Sequence, residues 1–314
     1  MREYIISKNE AGQRFDKYLF KLMKDIKPGL LFKQLRNKNI DLNKKKAKGN
    51  EILKENDVVR VFMSDETIDR FAGKSVEITG DGYGLLVVYE DEDIILANKP
   101  QGVLSQKAKD SDVSMNEYLL GYMAQKGMTK SQMSTFRPAF CNRLDRNTSG
   151  LMIGGKSLKG LQIMSQIIKD RSIEKYYLAI VKGSITKNES LKGYLEKDEK
   201  NNKVTLSDRC TEGSDYIETE YEVLDNNGEM TLLKVKLITG KTHQIRVHLA
   251  GINHPILGDM KYGDEVFNKK YGCNRQFLHS YEVVFPDIGE LKNISCCSFK
   301  TAYPERFKRF FKEK

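Results

Sequence analysis

From residue 85 onward, strand-like and helix-like stretches interleave without a regular strand–helix–strand period. That irregular alternation constrains the fold more than any single motif. Residues 85–89 and 94–97 read as strands, and residues 114–125 as a helix. Ser157 is the expected N-cap of a helix with Leu158, Leu161, Met164, Ile167 and Ile168 on one face. Residues 176–181 and 232–238 are strand-like, and in the second Lys234 and Lys236 alternate with apolar neighbours. A doubly wound parallel sheet would need repeated crossover units, so the expected class is α+β. No internal repeat and no low-complexity segment stands out.

The first 64 residues form a separate pattern. Apolar residues at Phe15, Leu19, Phe20, Leu22 and Met23 fit a short amphipathic helix over 16–23. Pro28 and Gly29 punctuate, residues 30–35 read as a second helix, and residues 40–43 alternate like a strand. A basic turn follows at 44–49, and residues 58–62 close the segment as another strand. Residues 65–84 are acidic and glycine-rich and read as a linker.

The net charge of +10 is concentrated at this end. Residues 1–64 hold 16 Lys plus Arg against 8 Asp plus Glu, a balance of +8, which leaves +2 for the other 250 residues. A small basic segment on a near-neutral body fits a polyanion-binding module, with a merely solvated basic face as the alternative. Anionic membrane is disfavoured, because the segment lacks a long amphipathic helix with an aromatic face. No stretch reaches the 18 or so apolar residues of a membrane span, and the opening residues lack a signal-peptide core. The five cysteines are odd in number, include no Cys-x-x-Cys and contain the adjacent pair Cys296 and Cys297. A disulfide framework and a structural zinc site are therefore not expected, and the expected compartment is the cytoplasm.

Residues 140–151 carry the strongest chemical signal: Phe-Cys-Asn-Arg-Leu-Asp-Arg-Asn-Thr-Ser-Gly-Leu. One carboxylate, Asp145, sits between Arg143 and Arg146, ahead of an apolar run from Leu151 to Ile153. An aspartate held among cations stays ionised, and a positioned carboxylate can act as a nucleophile. A surface ion pair in a loop is the bland alternative. Just beyond, residues 150–157 fit the phosphate-loop pattern G-x-x-x-x-G-K-[ST], but Leu151, Met152 and Ile153 read as buried strand, which leaves no room for a phosphate cradle. Downstream, no apolar strand ends in a magnesium-binding aspartate, so no nucleotide site is expected. His243, His248 and His254 lie within twelve residues, yet the five-residue step from His243 to His248 suits one helical face poorly. They read as structural or RNA-facing rather than metal-binding.

Two further runs complete the pattern. Residues 95–104 form a strand leading into Lys99-Pro-Gln-Gly102, and residues 239–249 read Thr-Gly-Lys-Thr-His-Gln-Ile-Arg-Val-His-Leu, followed by His254-Pro-Ile-Leu-Gly-Asp259 and Tyr262-Gly263. In this order and spacing the three runs resemble the motifs of the RluA-type pseudouridine synthases (the RluA, RluC and RluD group), over roughly residues 85–300. Residues 262–267 and 274–279 look closest to the RluC branch. The first 64 residues resemble the small RNA-binding domain first described in ribosomal small-subunit protein four, through Gly12-Gln-Arg-Phe-Asp-Lys-Tyr-Leu19, Leu35-Arg36, Leu42-Asn43 and Asp57-Val-Val59.

The resemblance implies a catalytic domain over 85–314 with a mixed, largely antiparallel central sheet flanked by helices, joined by the 65–84 linker to a small α/β RNA-binding domain. It implies a reaction that cuts the uracil–ribose bond, turns the base and rejoins it through carbon five, with no cofactor, metal or external energy. Asp145 matches the catalytic aspartate, which attacks either the sugar or the uracil ring. Arg246 matches the basic residue paired with it, and Arg143 the arginine that helps hold the flipped nucleotide. Tyr177, with Tyr176 as the competing neighbour, matches the tyrosine that stacks on uracil and assists proton transfer. Many family members carry His where this chain has Asn142, a departure that bears on an RNA contact and not on the activity. Arg14, Lys17, Lys33, Arg36, Lys44, Lys45 and Lys46 are the expected phosphate contacts of the basic module.

The expected partner is RNA, ribosomal RNA first and tRNA second, with no membrane, no nucleotide cofactor and a monomeric state. A silent RNA-binding assembly factor is the rival, and an intact Asp145, Tyr177 and Arg246 set argues against it. A glycoside hydrolase would need a second carboxylate opposite the first, for which Asp259 is a remote candidate.

Overall fold

The computed structural model describes residues 1–72, 84–198 and 203–312. Its described residues fall into two compact units. One gathers Met1–Gly84, Asn116–Ala139 and Gly155–Gln162, and the other Leu85–Met115, Phe140–Gly154 and Ile163–Lys314. The division is therefore not the contiguous one expected.

In the first unit β1 (Arg2–Ile5), α1 (Phe15–Leu22), α2 (Pro28–Arg36), β2 (Ile40–Leu42), β3 (Lys45–Lys46) and β4 (Val58–Val61) build a sheet in the order β1-β4-β2-β3 with two helices. Phe15, Leu19, Leu31, Leu35, Ile40, Val59 and Val61 share its core. Asn43 and Lys44, both at positive φ, form the tight connection between β2 and β3 that suits a two-residue hairpin. The basic turn thereby becomes a hairpin with Lys44, Lys45 and Lys46 exposed.

The linker reading fails for residues 65–72. Asp65–Ala72 is a helix, α3, whose Ile68 enters the core while Asp65 and Asp69 converge on Arg2 at 2.9 and 2.6 Å. Acidic composition suggested a solvated tether, but the acids four residues apart share one helix face and a single cation. The rest of the expected linker, 73–83, lies outside the described residues. Helices α4 (Met115–Gln125) and α5 (Lys130–Thr135) come later in the chain. The Thr135 hydroxyl donates to the Glu10 carboxylate within the same unit.

The second unit is organised by β5 (Leu86–Glu90), β6 (Ile94–Lys99), β7 (Ala139–Phe140), β8 (Ser149–Gly155), β9 (Glu174–Lys182), β10 (Glu189–Asp198), β11 (Lys203–Ser207), β12 (Asp215–Asn226), β13 (Met230–Leu237), β14 (Leu278–Val284) and β15 (Ser298–Lys300). Among the described residues these strands form one sheet with the path β11-β10-β12-β13-β9-β14-β8-β6-β5, with β15 beside β14 and β7 beside β8. The pairs along β11 to β14 are antiparallel, whereas β14 and β8 run parallel. Helix α6 (Leu158–Lys169), of which the second unit holds the part from Ile163 on, and helices α7 (Gln244–Gly251) and α8 (Glu265–Lys270) complete an α+β architecture, as the irregular alternation predicts. Ser157 caps α6, its hydroxyl accepting from the Gly160 amide at 2.9 Å.

Strand β8 disposes of the phosphate-loop pattern. Leu151, Met152 and Ile153 are fully buried, so the pattern lies in sheet and offers no cradle of exposed amides. Gly150, at φ +112°, lies so close to β14 that a Cβ there would fall 2.1 Å from the Ser280 carbonyl oxygen. Gly150→Ala is expected to destabilise the protein by at least about 3 kcal/mol, combining backbone strain with a clash against immovable backbone. A urea midpoint unchanged from wild type would contradict this account of the β8–β14 contact.

Candidate active site

The chain from Cys141 to Thr148 leaves the sheet as a loop and re-enters at β8, and three anchors fix it. Ser105 Oγ accepts from the Leu144 amide at 2.9 Å and donates to the Leu144 carbonyl at 2.7 Å. The Asn142 side chain accepts from the Ile153 amide at 2.8 Å. That bond ties the loop to β8 and accounts for an amide side chain where many relatives of the resemblance have His.

The third anchor is a lysine at the end of β6. Lys99 is fully buried, and its ammonium donates to the carbonyls of Pro100, Val103 and Arg146 at 3.1, 2.7 and 3.0 Å. Burial pulls its pKa down to about 8, partly opposed by the Asp145 charge. Lys99 thus binds the Lys-Pro-Gln-Gly turn to the aspartate loop, and the Arg146 carbonyl also accepts from the Gly102 amide at 2.8 Å.

Asp145 projects from this framework with a side chain 28% exposed. Its ion-pair partner is not either flanking arginine. Arg146 turns its Nε to the Gly102 carbonyl at 3.0 Å, and Arg143 is solvent-exposed. The pairing comes from Arg246 in α7, whose Nη1 donates to Asp145 Oδ2 at 2.8 Å. Adjacency in sequence misled here, because the extended loop sends neighbouring side chains in different directions.

Arg246 is in turn gripped from behind. Its Nε and Nη2 donate to the two oxygens of Asp259 at 2.6 and 2.9 Å, a fork-to-fork pairing. Asp259 is 1% exposed and also accepts from the amides of Lys261 and Tyr262 at 2.8 and 3.1 Å. Burial pushes its pKa upward, but Arg246 and the two amides win and hold the carboxyl below its usual range. Asp259 is therefore committed to Arg246, and the glycoside-hydrolase reading loses its second carboxylate.

The Thr-x-x-x-His-Gln-Ile-Arg run supplies this grip through Gln244. Its amide donates to the Glu218 carbonyl and to Thr219 Oγ1, each at 2.9 Å, and its oxygen accepts from Thr239 Oγ1 at 2.9 Å and the Lys241 amide at 3.1 Å. The first turn of α7 is thus bolted to β12, which sets where Arg246 points. The three histidines separate: His243 faces the Tyr262 hydroxyl, His248 Thr219 Oγ1, and His254 the Lys182 carbonyl.

Tyr177, on β9, is 6% exposed, with its hydroxyl hydrogen-bonded to Ser280. Burial, reinforced by the Asp145 charge, pushes its pKa up to about 12, so the phenol stays protonated. Tyr176 faces the other way along the strand. Its hydroxyl donates to Glu174 at 2.7 Å and Lys234 covers its ring at 4.5 Å. Of the two tyrosines only Tyr177 feels the Asp145 charge among the causes of its shift.

A family model described as RNA pseudouridylate synthase matches residues 93–251, half of the chain, and takes in residues 95–104, 140–151 and 239–249 of the three runs. The chain belongs to this family. An uncharacterized RNA pseudouridine synthase of Mycoplasma genitalium is 31% identical over 95% of both chains. Ribosomal large subunit pseudouridine synthase D of Borreliella burgdorferi is 33% identical, covering 87% of this chain and 82% of its own. Ribosomal large subunit pseudouridine synthase C of Pasteurella multocida is 31% identical over 92% of this chain and 88% of its own. In fold, human RNA pseudouridylate synthase domain containing 4 matches with a TM-score of 0.58 at 20% identity, over 74% of this chain and 95% of that one. The RluA-type grouping read from the motifs stands.

In this synthase the basic residues expected of the first unit, Arg14, Lys17, Lys33, Arg36 and Lys44 to Lys46, are all exposed. Arg14 is engaged with Asp16 at 2.7 Å. Lys99, Tyr262 and Ser280 were not expected at the site, and Asp259 only as a remote second carboxylate, not as the partner of Arg246. Lys99 and Asp259 were visible inside motif runs, whereas Ser280 carries no sequence signal.

Strand β14, which brings Ser280, is fixed by a buried neutral histidine. His279 bridges Ser149 Oγ at 2.8 Å and Thr301 Oγ1 at 2.7 Å, and burial lowers its pKa to about 4. A histidine with a depressed folded pKa takes up its proton more readily in the unfolded chain. Its contribution is complete above about pH 6.5 and is lost as pH falls toward 4. Acidification across that window is expected to cost on the order of 2–3 kcal/mol from this residue. Urea midpoints measured against pH should show the wild-type slope exceeding that of His279→Gln by about one proton, and parallel slopes would refute the assignment.

Proposed function

We propose that the protein isomerises specific uridines to pseudouridine in structured RNA, with large-subunit ribosomal RNA as the substrate and Asp145 as the nucleophile. The observation that carries the reading is the Asp145–Arg246 pair at 2.8 Å, beside a buried, protonated Tyr177. The carboxylate attacks, the bond between ribose carbon one and uracil nitrogen one breaks, and the base turns. Carbon five then bonds to ribose carbon one, the bond made by the carboxylate breaks so that Asp145 is returned free, and the proton carbon five loses is balanced by the one gained at nitrogen one. Arg246 holds the carboxylate in one rotamer through a charge-assisted hydrogen bond. Tyr177 offers an aromatic face and a hydroxyl that keeps its proton at neutral pH. Arg143, exposed beside Asp145, is suited to a phosphate of the extruded nucleotide. No step calls for a cofactor.

The relatives named for the large ribosomal subunit support ribosomal RNA over tRNA. Residues 1–64 act as an RNA-binding module, with the exposed Lys44–Lys46 hairpin and the Lys33 and Arg36 edge of α2 as its phosphate contacts. Five free cysteines suit the reducing cytoplasm.

Pseudouridine mapping by carbodiimide and primer extension tests the reading in cells with the gene, without it and with Asp145→Asn. Positions lost from ribosomal RNA in both the deletion and the variant are expected, and unchanged positions in every strain would leave only a silent RNA-binding protein. In a second test, replacing Lys33, Arg36, Lys44, Lys45 and Lys46 by Gln should weaken RNA binding and reduce the slope of log affinity against log salt by several units, at about 0.7–0.9 per lost contact. A slope equal to wild type would remove these residues from the interface.

A further inference from the structure

Arg246 is not alone on the nucleophile. His243 Nε2 lies 3.9 Å from Asp145 Oδ2, the same oxygen that receives Arg246 Nη1. The other face of the imidazole is engaged, with Nδ1 3.0 Å from the Tyr262 hydroxyl. That hydroxyl accepts from the Val204 amide at 3.0 Å, which leaves its own proton to be placed. His243 Nδ1 is the acceptor within reach, so the tyrosine donates to it, and a neutral imidazole must then carry its proton on Nε2, toward Asp145. His243 is largely buried, 12% exposed, and burial holds its pKa below the ordinary value despite the carboxylate nearby.

The backbone is arranged for this placement. His243 sits at φ 57°, ψ 13°, a left-handed conformation at the N-cap of α7, where it makes no side-chain cap hydrogen bond. A residue held there without a capping role, with its ring against a carboxylate, is a feature of sites rather than of helix starts. The Tyr262 ring packs edge-on against the imidazole, centroids 5.5 Å apart, and lies 5.0 Å from the Arg246 guanidinium. One tyrosine thus braces both groups that face Asp145.

We infer that His243 is a positioning residue for the nucleophile, donating its Nε2–H to Asp145 Oδ2 and, with Arg246, pinning that oxygen so that Oδ1 is the one presented for attack. The tautomer is set by the relay from the Val204 amide through Tyr262. At 3.9 Å the contact is long for a hydrogen bond, and such contacts tighten once substrate fills a site. The inference rests on Asp145 as the nucleophile.

The test is single-turnover tritium release from a [5-³H]uridine-labelled transcript of bacterial large-subunit ribosomal RNA, with filter-binding affinity measured on the same RNA. His243→Phe keeps ring bulk and removes the donor, whereas His243→Gln returns an N–H near the Nε2 position. The expected result is a rate at least tenfold lower in H243F, restored to within threefold of wild type in H243Q, with RNA affinity unchanged in both. Wild-type rate in H243F overturns the inference, as does an H243Q as slow as H243F. Should H243F prove unfolded by thermal melting, Tyr262→Phe reads the same relay. A threefold or larger loss of rate at constant RNA affinity supports it, and wild-type rate overturns it. An active wild type separates these failures from that of the functional reading, which falls, and this inference with it, only if wild-type protein releases no tritium.

Discussion

A single guanidinium, Arg246, organises the site, because each of its three nitrogens donates to one of two carboxylates with different fates. Asp259 is buried and takes a two-point grip, while Asp145 is partly exposed and takes one bond. Both the arginine and Asp259 would be costly to bury singly; together, with two backbone amides on Asp259, they form a satisfied unit. The second carboxylate neutralises the arginine's excess hold on Asp145, so the nucleophile is oriented without being consumed in a bidentate pair. Remove Asp259 and Arg246 would be free to fork onto Asp145 with both nitrogens.

Around that pair, much of the framework is backbone rather than side chain. The buried Lys99 ammonium, satisfied by three carbonyls, ties the turn after β6 to the loop that bears Asp145. A charge placed among carbonyl dipoles offsets its desolvation locally and fixes both chain segments at once. Farther out, Gln101 repeats the device with a neutral amide, donating to the Asn147 and Gln276 carbonyls at 2.6 and 2.8 Å while accepting from Arg306.

The three motif runs were legible because their residue types are demanded by chemistry or by backbone geometry. In the second unit β9 was legible as a run of buried apolar residues, β13 by Lys234 and Lys236 alternating with apolar neighbours, and α6 by its single apolar face. The ribbon from β10 to β12 was not read as strand, although in β12 the buried Ile217, Thr219 and Tyr221 alternate with Glu218, Glu220 and Glu222. The linker reading erred at α3 because composition reports charge but not where a helix will place it. The tie between Asp145 and Arg246, 101 residues apart, could be reached only through resemblance, and the Asp259 and Ser280 contacts needed the fold itself. Local pattern does not encode which distant strands become neighbours.

The path of the large sheet has a consequence for how the protein comes into being. Strand β14, near the end of the chain, does not join an edge but lies between β9 and β8, both made more than a hundred residues of synthesis earlier or close to it. Until β14 emerges, β9 and β8 each offer an unpaired edge in what will be the middle of the sheet. Ser280 is missing from beside Tyr177, and Gly150 has nothing to receive. The nascent chain therefore cannot assemble its site in stages. Activity arrives all at once with the last central strand, and the interval before it is the period when the chain most needs shielding from other unpaired edges.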